Sequence, residues 1–183
     1  MALIVLIQLY NHPVMSRLRR IALSDRFFFV TCRIFPEHRL LSGRDFACLA
    51  DAVHSRRAEF GFALPAWVFL PSHWHAIFFP GHPVTISTLM KGIKVSAASR
   101  INAANGENGP VWQSRFFDRM LRTVKEYRET VEYIHWNPVK AGLATRPEDW
   151  EWSSAREYEQ SANVSNRLTT DQVELPSEER MRI

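Results

Sequence analysis

Apolar residues recur in two rhythms along this chain, every second position in some segments and every third or fourth in others. Arg26-Phe27-Phe28-Phe29-Val30-Thr31-Cys32-Arg33 is dense in aromatic and β-branched residues and predicts a first strand. Ser42-Gly43-Arg44-Asp45 resembles a capping box, so a helix should follow with Phe46, Leu49 and Val53 on one stripe. Gly61 to Leu70 predicts a second strand. Its end, Ala66-Trp67-Val68-Phe69-Leu70, is apolar at consecutive positions, which places it centrally in a sheet and covered on both faces. Pro71-Ser72 is a tight break, and His73 to Phe79 returns as an antiparallel third strand.

The rhythm then lengthens. Pro83 to Ser87 opens a helix that turns Ile86, Leu89, Met90 and Ile93 toward the core and ends near Ala104, before the loop Asn105 to Pro110. Val111 to Leu121 is short and extended. Thr123 caps a helix from Val124 to Trp136, and Asn137-Pro138 interrupts it, because the residue before proline resists helical geometry. Asn137 as N-cap and Pro138 as first residue then predict a separate short helix to Gly142. Trp150 and Trp152 fold back on the core as packing residues. The order β-α-β-β-α-β-α predicts an α+β, ferredoxin-like fold, with helices packed on one antiparallel sheet.

A chain of 183 residues fits one domain. The domain is expected over residues 15–159. Residues 1–14 read as an extension outside the fold, Met15 resembling a natural start, and residues 160–183 as a polar, disordered tail. Cys32 and Cys48 are too few for a disulfide framework or a zinc knuckle and suit reduced thiols in the cytoplasm. No segment is long and apolar enough to cross a bilayer, so no membrane partner is expected. The net charge of +4 allows a polyanionic partner.

Candidate chemistry starts at His73-Trp74-His75. On a strand, residues two apart leave the same face, so the two imidazoles stand side by side while Trp74 enters the opposite layer. Two neutral imidazoles on a rigid face are half of a divalent-metal site. A nucleophile is suggested by helical phase. Val124, Tyr127, Val131 and Ile134 share the core stripe, whereas Tyr133 is turned roughly 120° from Tyr127 and is free to face a cleft. Asn137, one turn beyond Tyr133, offers an amide oxygen as a third ligand, although its role as an N-cap explains it equally. His12, His38, His54, His82 and His135 lack a partner pattern and read as surface or loop residues.

The His73-Trp74-His75 triplet, followed by Tyr133-Ile134, then Asn137-Pro138-Val139-Lys140-Ala141-Gly142, resembles the single-tyrosine HUH transposases. More narrowly, it resembles the REP-associated tyrosine transposases of bacteria, over roughly Arg17 to Tyr158. The resemblance implies His73 and His75 as metal ligands, Tyr133 as nucleophile, and Asn137 where relatives carry an amide ligand. Ser72 departs from the acidic or amide residue that relatives often have before the first histidine, which bears on a contact behind the pair rather than on the pair. The chemistry implied is attack by the tyrosine on a phosphodiester of single-stranded DNA, leaving a 5′-phosphotyrosine and a free 3′ hydroxyl. A phenol of unperturbed pKa about 10 must lose its proton for this. Mg²⁺ or Mn²⁺ suits two imidazoles and an amide. The implied partner is a hairpin from repeated extragenic palindromes, bound by a nucleoid-associated monomer.

A basic N-terminal arm (Arg17, Arg19, Arg20) and the cluster of Lys91, Lys94, Arg115, Arg119 and Arg122 are the candidate phosphate contacts. Trp112, Phe116 and Phe117 interleave with the cluster and are expected in the core rather than as base-stacking platforms. A non-catalytic hairpin binder and a small-phosphoester hydrolase are the competing functions. The first needs neither the histidine pair nor Tyr133, and the second fits the basic surface poorly.

Overall fold

In the computed structural model, which describes residues 24–163, the period-two segments form four strands and the longer periods form helices. The order is β1 (Phe28–Arg33), α1 (Gly43–Phe60), β2 (Ala63–Leu70), β3 (His73–Phe79), α2 (Ile86–Asn105), β4 (Phe117–Met120), α3 (Val124–Lys140) and α4 (Ala155–Asn163). A single 3-10 turn, Pro147–Asp149, precedes α4. The sheet order is β2-β3-β1-β4, antiparallel at each pairing. This is the ferredoxin-like arrangement expected, with one helix added on the far face. Among the described residues, no helix is long and apolar enough to cross a membrane. Arg17, Arg19, Arg20, the extension 1–14 and residues 164–183 of the expected tail lie outside the described residues.

Alternation in the strands feeds two cores. Phe28, Val30, Cys32, Trp74, Ala76 and Phe78 point to one face and pack under Phe46, Leu49 and Val53 of α1 and Leu89, Met90 and Ile93 of α2. Ser42 caps α1, and its partner Asp45 is fully buried. Burial alone would raise the Asp45 pKa, but hydrogen bonds from Arg39, Ser42 and Asn105 hold it well below the carboxylate range. Phe29, Ala66, Val68, Leu70 and Ile77 point to the other face and pack under Tyr127, Val131 and Ile134 of α3. Tyr127 is the packing tyrosine, as its helical phase predicts.

Three expectations need correction. β2 is an edge strand, not a central one. Its apolar character survives because residues 150–154 seal the outer edge: Phe69 N–H donates to the Trp152 carbonyl at 2.9 Å and Ser154 N–H to that of Trp67 at 3.1 Å. The Trp150 indole also donates to the Phe69 carbonyl at 2.9 Å, so the packing role of this segment is as expected. Second, α3 runs unbroken through Pro138. Proline in the last turn removes one N–H that would reach Ile134, and burial of Pro138 offsets that loss. Third, α4 carries helical backbone to Asn163, past the boundary expected after residue 159.

Candidate active site: a tyrosine over a histidine pair

β3 and β1 build the floor of the site. His73 pairs with Arg33 and His75 with Thr31, and all four occupy the α3 face of the sheet. The imidazoles meet edge to face, with ring centres 4.8 Å apart. Each is held at Nδ1. The Thr31 hydroxyl lies 2.8 Å from Nδ1 of His75, and the Ser72 hydroxyl 2.9 Å from Nδ1 of His73. Ser72 therefore does supply a contact behind the first histidine, through a hydroxyl.

His75 is buried, and its Nε2 has no hydrogen-bond partner. Burying an unpartnered imidazole nitrogen is costly unless something else meets it. Burial, reinforced by the charges of His73 and Arg33, pushes the His75 pKa down to about 3, against a smaller opposing contribution from the Val30 backbone. Burial and Arg33 lower that of His73 as well. Both rings are thus neutral near pH 7, the form that ligates metal. An orphaned Nε2 with Nδ1 tied to a hydroxyl is the arrangement expected of a ligating histidine.

α3 hangs the tyrosine over this floor. The Tyr133 ring lies 5.4 Å from His75 and 5.9 Å from Phe29, edge-on to both, and remains 42% exposed. Lys140, two turns on, places its ammonium 5.2 Å from the centre of the same ring. On the outer side, Glu129, Glu132, Tyr133, Trp136 and Lys140 line a shallow cleft of about 350 Å³. Asn137 is not an N-cap, since the helix passes through it. Its amide donates to the Tyr133 carbonyl at 3.2 Å. A carbonyl only accepts, so this bond orients the side chain and leaves Oδ1 unpartnered. No hydrogen bond joins Asn137 to either histidine. Among the described residues, no cluster of three His, Cys, Asp or Glu side chains could hold a metal, so a third protein ligand here must be of another type. Two imidazoles and an amide oxygen fit a divalent cation with nitrogen and oxygen ligands.

The cluster of cations is divided by the fold. Lys91, Arg115, Arg119 and Arg122 are exposed. Arg119 shares the α3 face of the sheet and reaches the Thr130 hydroxyl at 3.3 Å. Lys94 instead donates to the carbonyls of Gln113 at 2.6 Å and Ser114 at 2.9 Å, which commits its ammonium to the loop before β4. Trp112 is buried and Phe116 half-buried, as expected, but Phe117 is 56% exposed, contrary to its expected place in the core. His135 was also misjudged from sequence. It is buried on α3, with Nε2 2.9 Å from the Ser154 hydroxyl and its ring 4.7 Å from that of Tyr158. Thr31 and Arg33 had no signal in any motif; only strand register brings them to the pair.

The chain is similar to known proteins in both sequence and fold. The chain is 30% identical over 141 residues to a REP-associated tyrosine transposase of Escherichia coli K12, covering 76% of this chain and 82% of that protein. A solved structure of a REP-associated tyrosine transposase bound to a REP hairpin superposes with a TM-score of 0.70 at 28% identity. That match covers 85% of this chain and 94% of the other. No protein-family model matches the chain.

Proposed function

The chain belongs to the REP-associated tyrosine transposases, and from this premise we propose that it nicks and rejoins single-stranded DNA at palindromic hairpins through Tyr133. The observation that carries the reading is the Tyr133 ring set against His75, whose Nε2 is buried and unpartnered. The phenolic oxygen forms a bond to phosphorus while the bond from phosphorus to the 3′ oxygen breaks. The phenol's proton passes to solvent at its exposed edge, and the departing 3′ oxygen takes one up. The 5′ phosphate stays on Tyr133, so a second 3′ hydroxyl can reverse the exchange without an external energy source.

His73, His75 and the Oδ1 of Asn137 are the groups that would hold Mg²⁺ or Mn²⁺. Such an ion would supply polarisation of the scissile phosphate and neutralisation of the charge that develops there. Thr31 and Ser72 keep the two rings aimed, and the bond from the Asn137 amide nitrogen to the Tyr133 carbonyl leaves its oxygen available. Lys140 adds positive charge over the ring of the nucleophile.

The hairpin is the proposed partner because a relative of similar fold is bound to one. The exposed Lys91, Arg115, Arg119 and Arg122, with Arg17, Arg19 and Arg20 of the N-terminal arm, are the proposed phosphate contacts. We place the protein in the bacterial cytoplasm, on the nucleoid, as a monomer; free Cys32 and Cys48 suit that compartment.

The test is an end-labelled single-stranded palindrome from beside the gene, incubated with the protein and Mn²⁺. Cleavage with a covalent protein–DNA adduct is expected, and Tyr133→Phe should lose both while still binding the hairpin. Cleavage persisting in Tyr133→Phe would overturn the mechanism. Binding without cleavage by the unaltered protein would point instead to a non-catalytic hairpin binder.

A further inference from the structure

The sheet row that carries His75 continues across two more strands. Thr31 stands opposite His75, and Phe117 of β4 stands opposite Thr31. Residues directly opposite share a face, so the three side chains line up on the α3 side, about 4.8 Å apart from strand to strand. Phe117 touches Phe29 edge-on at 6.1 Å yet keeps more than half its surface in solvent. Trp112, by contrast, is buried in the opposite core.

Two residues along β1 from Thr31, on the same face, Arg33 stands opposite His73. It is exposed, and among the described residues its guanidinium has neither a carboxylate nor a hydrogen-bond acceptor. Its charge acts on both histidines. An uncompensated cation and an exposed aromatic ring therefore border the histidine pair on the side toward β4. Arginine holds its charge and matches phosphate oxygens with a planar fork of donors. An exposed phenylalanine offers an unpaired base a stacking surface that a duplex base cannot use.

We propose that Arg33 and Phe117 form a nucleotide subsite beside the tyrosine–histidine pair, in which Phe117 stacks an unpaired base of the substrate strand and Arg33 grips the phosphate joined to it. The subsite rests on the reading of this face as a single-stranded DNA site. It gives that reading a direction: the strand crosses the sheet from β3 over β1 toward the β4 edge, where Arg119 carries further positive charge. Sequence-tolerant stacking here would hold the strand in line while the hairpin duplex is held elsewhere.

The probe is a single-stranded oligonucleotide carrying the palindrome beside the gene, with 2-aminopurine placed in turn at each unpaired position. Quenching is expected at one position with the full-length protein. Phe117→Ala should remove that quenching and weaken binding about ten-fold. Phe117→Trp should restore it, whereas Phe117→Leu should not. Arg33→Ala should lower the slope of log affinity against log salt by about one, and Arg33→Lys should keep the slope. Melting temperatures of all five variants should match the parent, since both side chains are exposed.

Quenching at no position, quenching unchanged in Phe117→Ala, or Leu serving as well as Trp would overturn the stacking role. An unchanged salt slope in Arg33→Ala would overturn the phosphate contact. Adduct formation on the same oligonucleotide separates the two readings. An adduct with unaltered quenching in Phe117→Ala sinks only the subsite. Quenching lost in Phe117→Ala, with no adduct from the unaltered protein, sinks only the transesterase.

Discussion

The two faces of the sheet are built by the same strands and differ in what covers them. On one, α1 and α2 close completely over Trp74, Phe78 and Val30, each at most 1% exposed. On the other, α3 covers Phe29, Val68 and Ile77 but leaves His73, Thr31, Arg33 and Phe117 partly open, with Tyr133 at the margin. His73 and His75 alternate with Trp74 and Ala76 along a single strand, so one residue of register separates chemistry from core. The lesson is a division of labour. The sealed face supplies the rigidity that lets the open face hold an unpartnered imidazole in place.

The division can be broken from either side. The largest effect is expected from Tyr133→Phe on the open face. Cleavage and adduct should fall on the order of a thousand-fold or more in the end-labelled assay, with hairpin affinity and melting temperature unchanged. His75→Ala should cost on the order of a hundred-fold or more in metal-dependent cleavage. Rates equal to the parent's would show that the pair is structural. On the sealed face the sign of the comparison reverses. Trp74→Ala should cost about 3–5 kcal/mol in denaturant unfolding, while Trp74 itself touches nothing in the proposed chemistry.

Acid should act through the buried histidines. Burial pushes the His135 pKa down from the ordinary 6.5 to about 4. The folded state keeps the ring neutral while the unfolded chain takes up a proton. The stability this contributes is therefore complete above pH 6.5 and lost as the pH falls toward 4. At about 1.4 kcal/mol per pH unit the loss is on the order of 2–3 kcal/mol. His135→Gln, which can still donate to Ser154 but cannot titrate, should flatten unfolding free energy against pH over that window. An unflattened slope would remove His135 as the cause. The smallest effect is reserved for the supports. Thr31→Val deletes the hydroxyl at Nδ1 of His75 and should weaken Mn²⁺ activation about ten-fold, read from the midpoint of an activity titration.

Much of this was legible in sequence because it depends on local periodicity. The alternation around Trp74 assigned the histidines to one face, and helical phase separated Tyr133 from Tyr127. The capping box at Ser42 and the stripe of α2 also followed from spacing alone. Failures occurred where a distant segment decided the outcome. β2 reads as central because both its faces are apolar, and only residues 150–154, some eighty positions later, explain how an edge strand stays covered. His135 reads as a surface residue until Ser154 arrives beside it. Lys94 is one cation among several in sequence, and in the fold it is the one bound to the carbonyls before β4.

The sequence by itself determined the order of elements from β1 to α3, the placing of two imidazoles on one face and the separation of Tyr133 from the packing Tyr127, since each follows from side-chain direction along one strand or helix. The tertiary structure alone decided that Tyr133 stands over His75, that Thr31 and Ser72 aim the rings, and that Arg33 and Phe117 border them. It also decided that Asn137 continues α3 instead of starting a new helix. The physical reason is register. A hydrogen-bonded ladder fixes which residues of separate strands become neighbours, and that alignment depends on the summed packing of both faces, which no local pattern records.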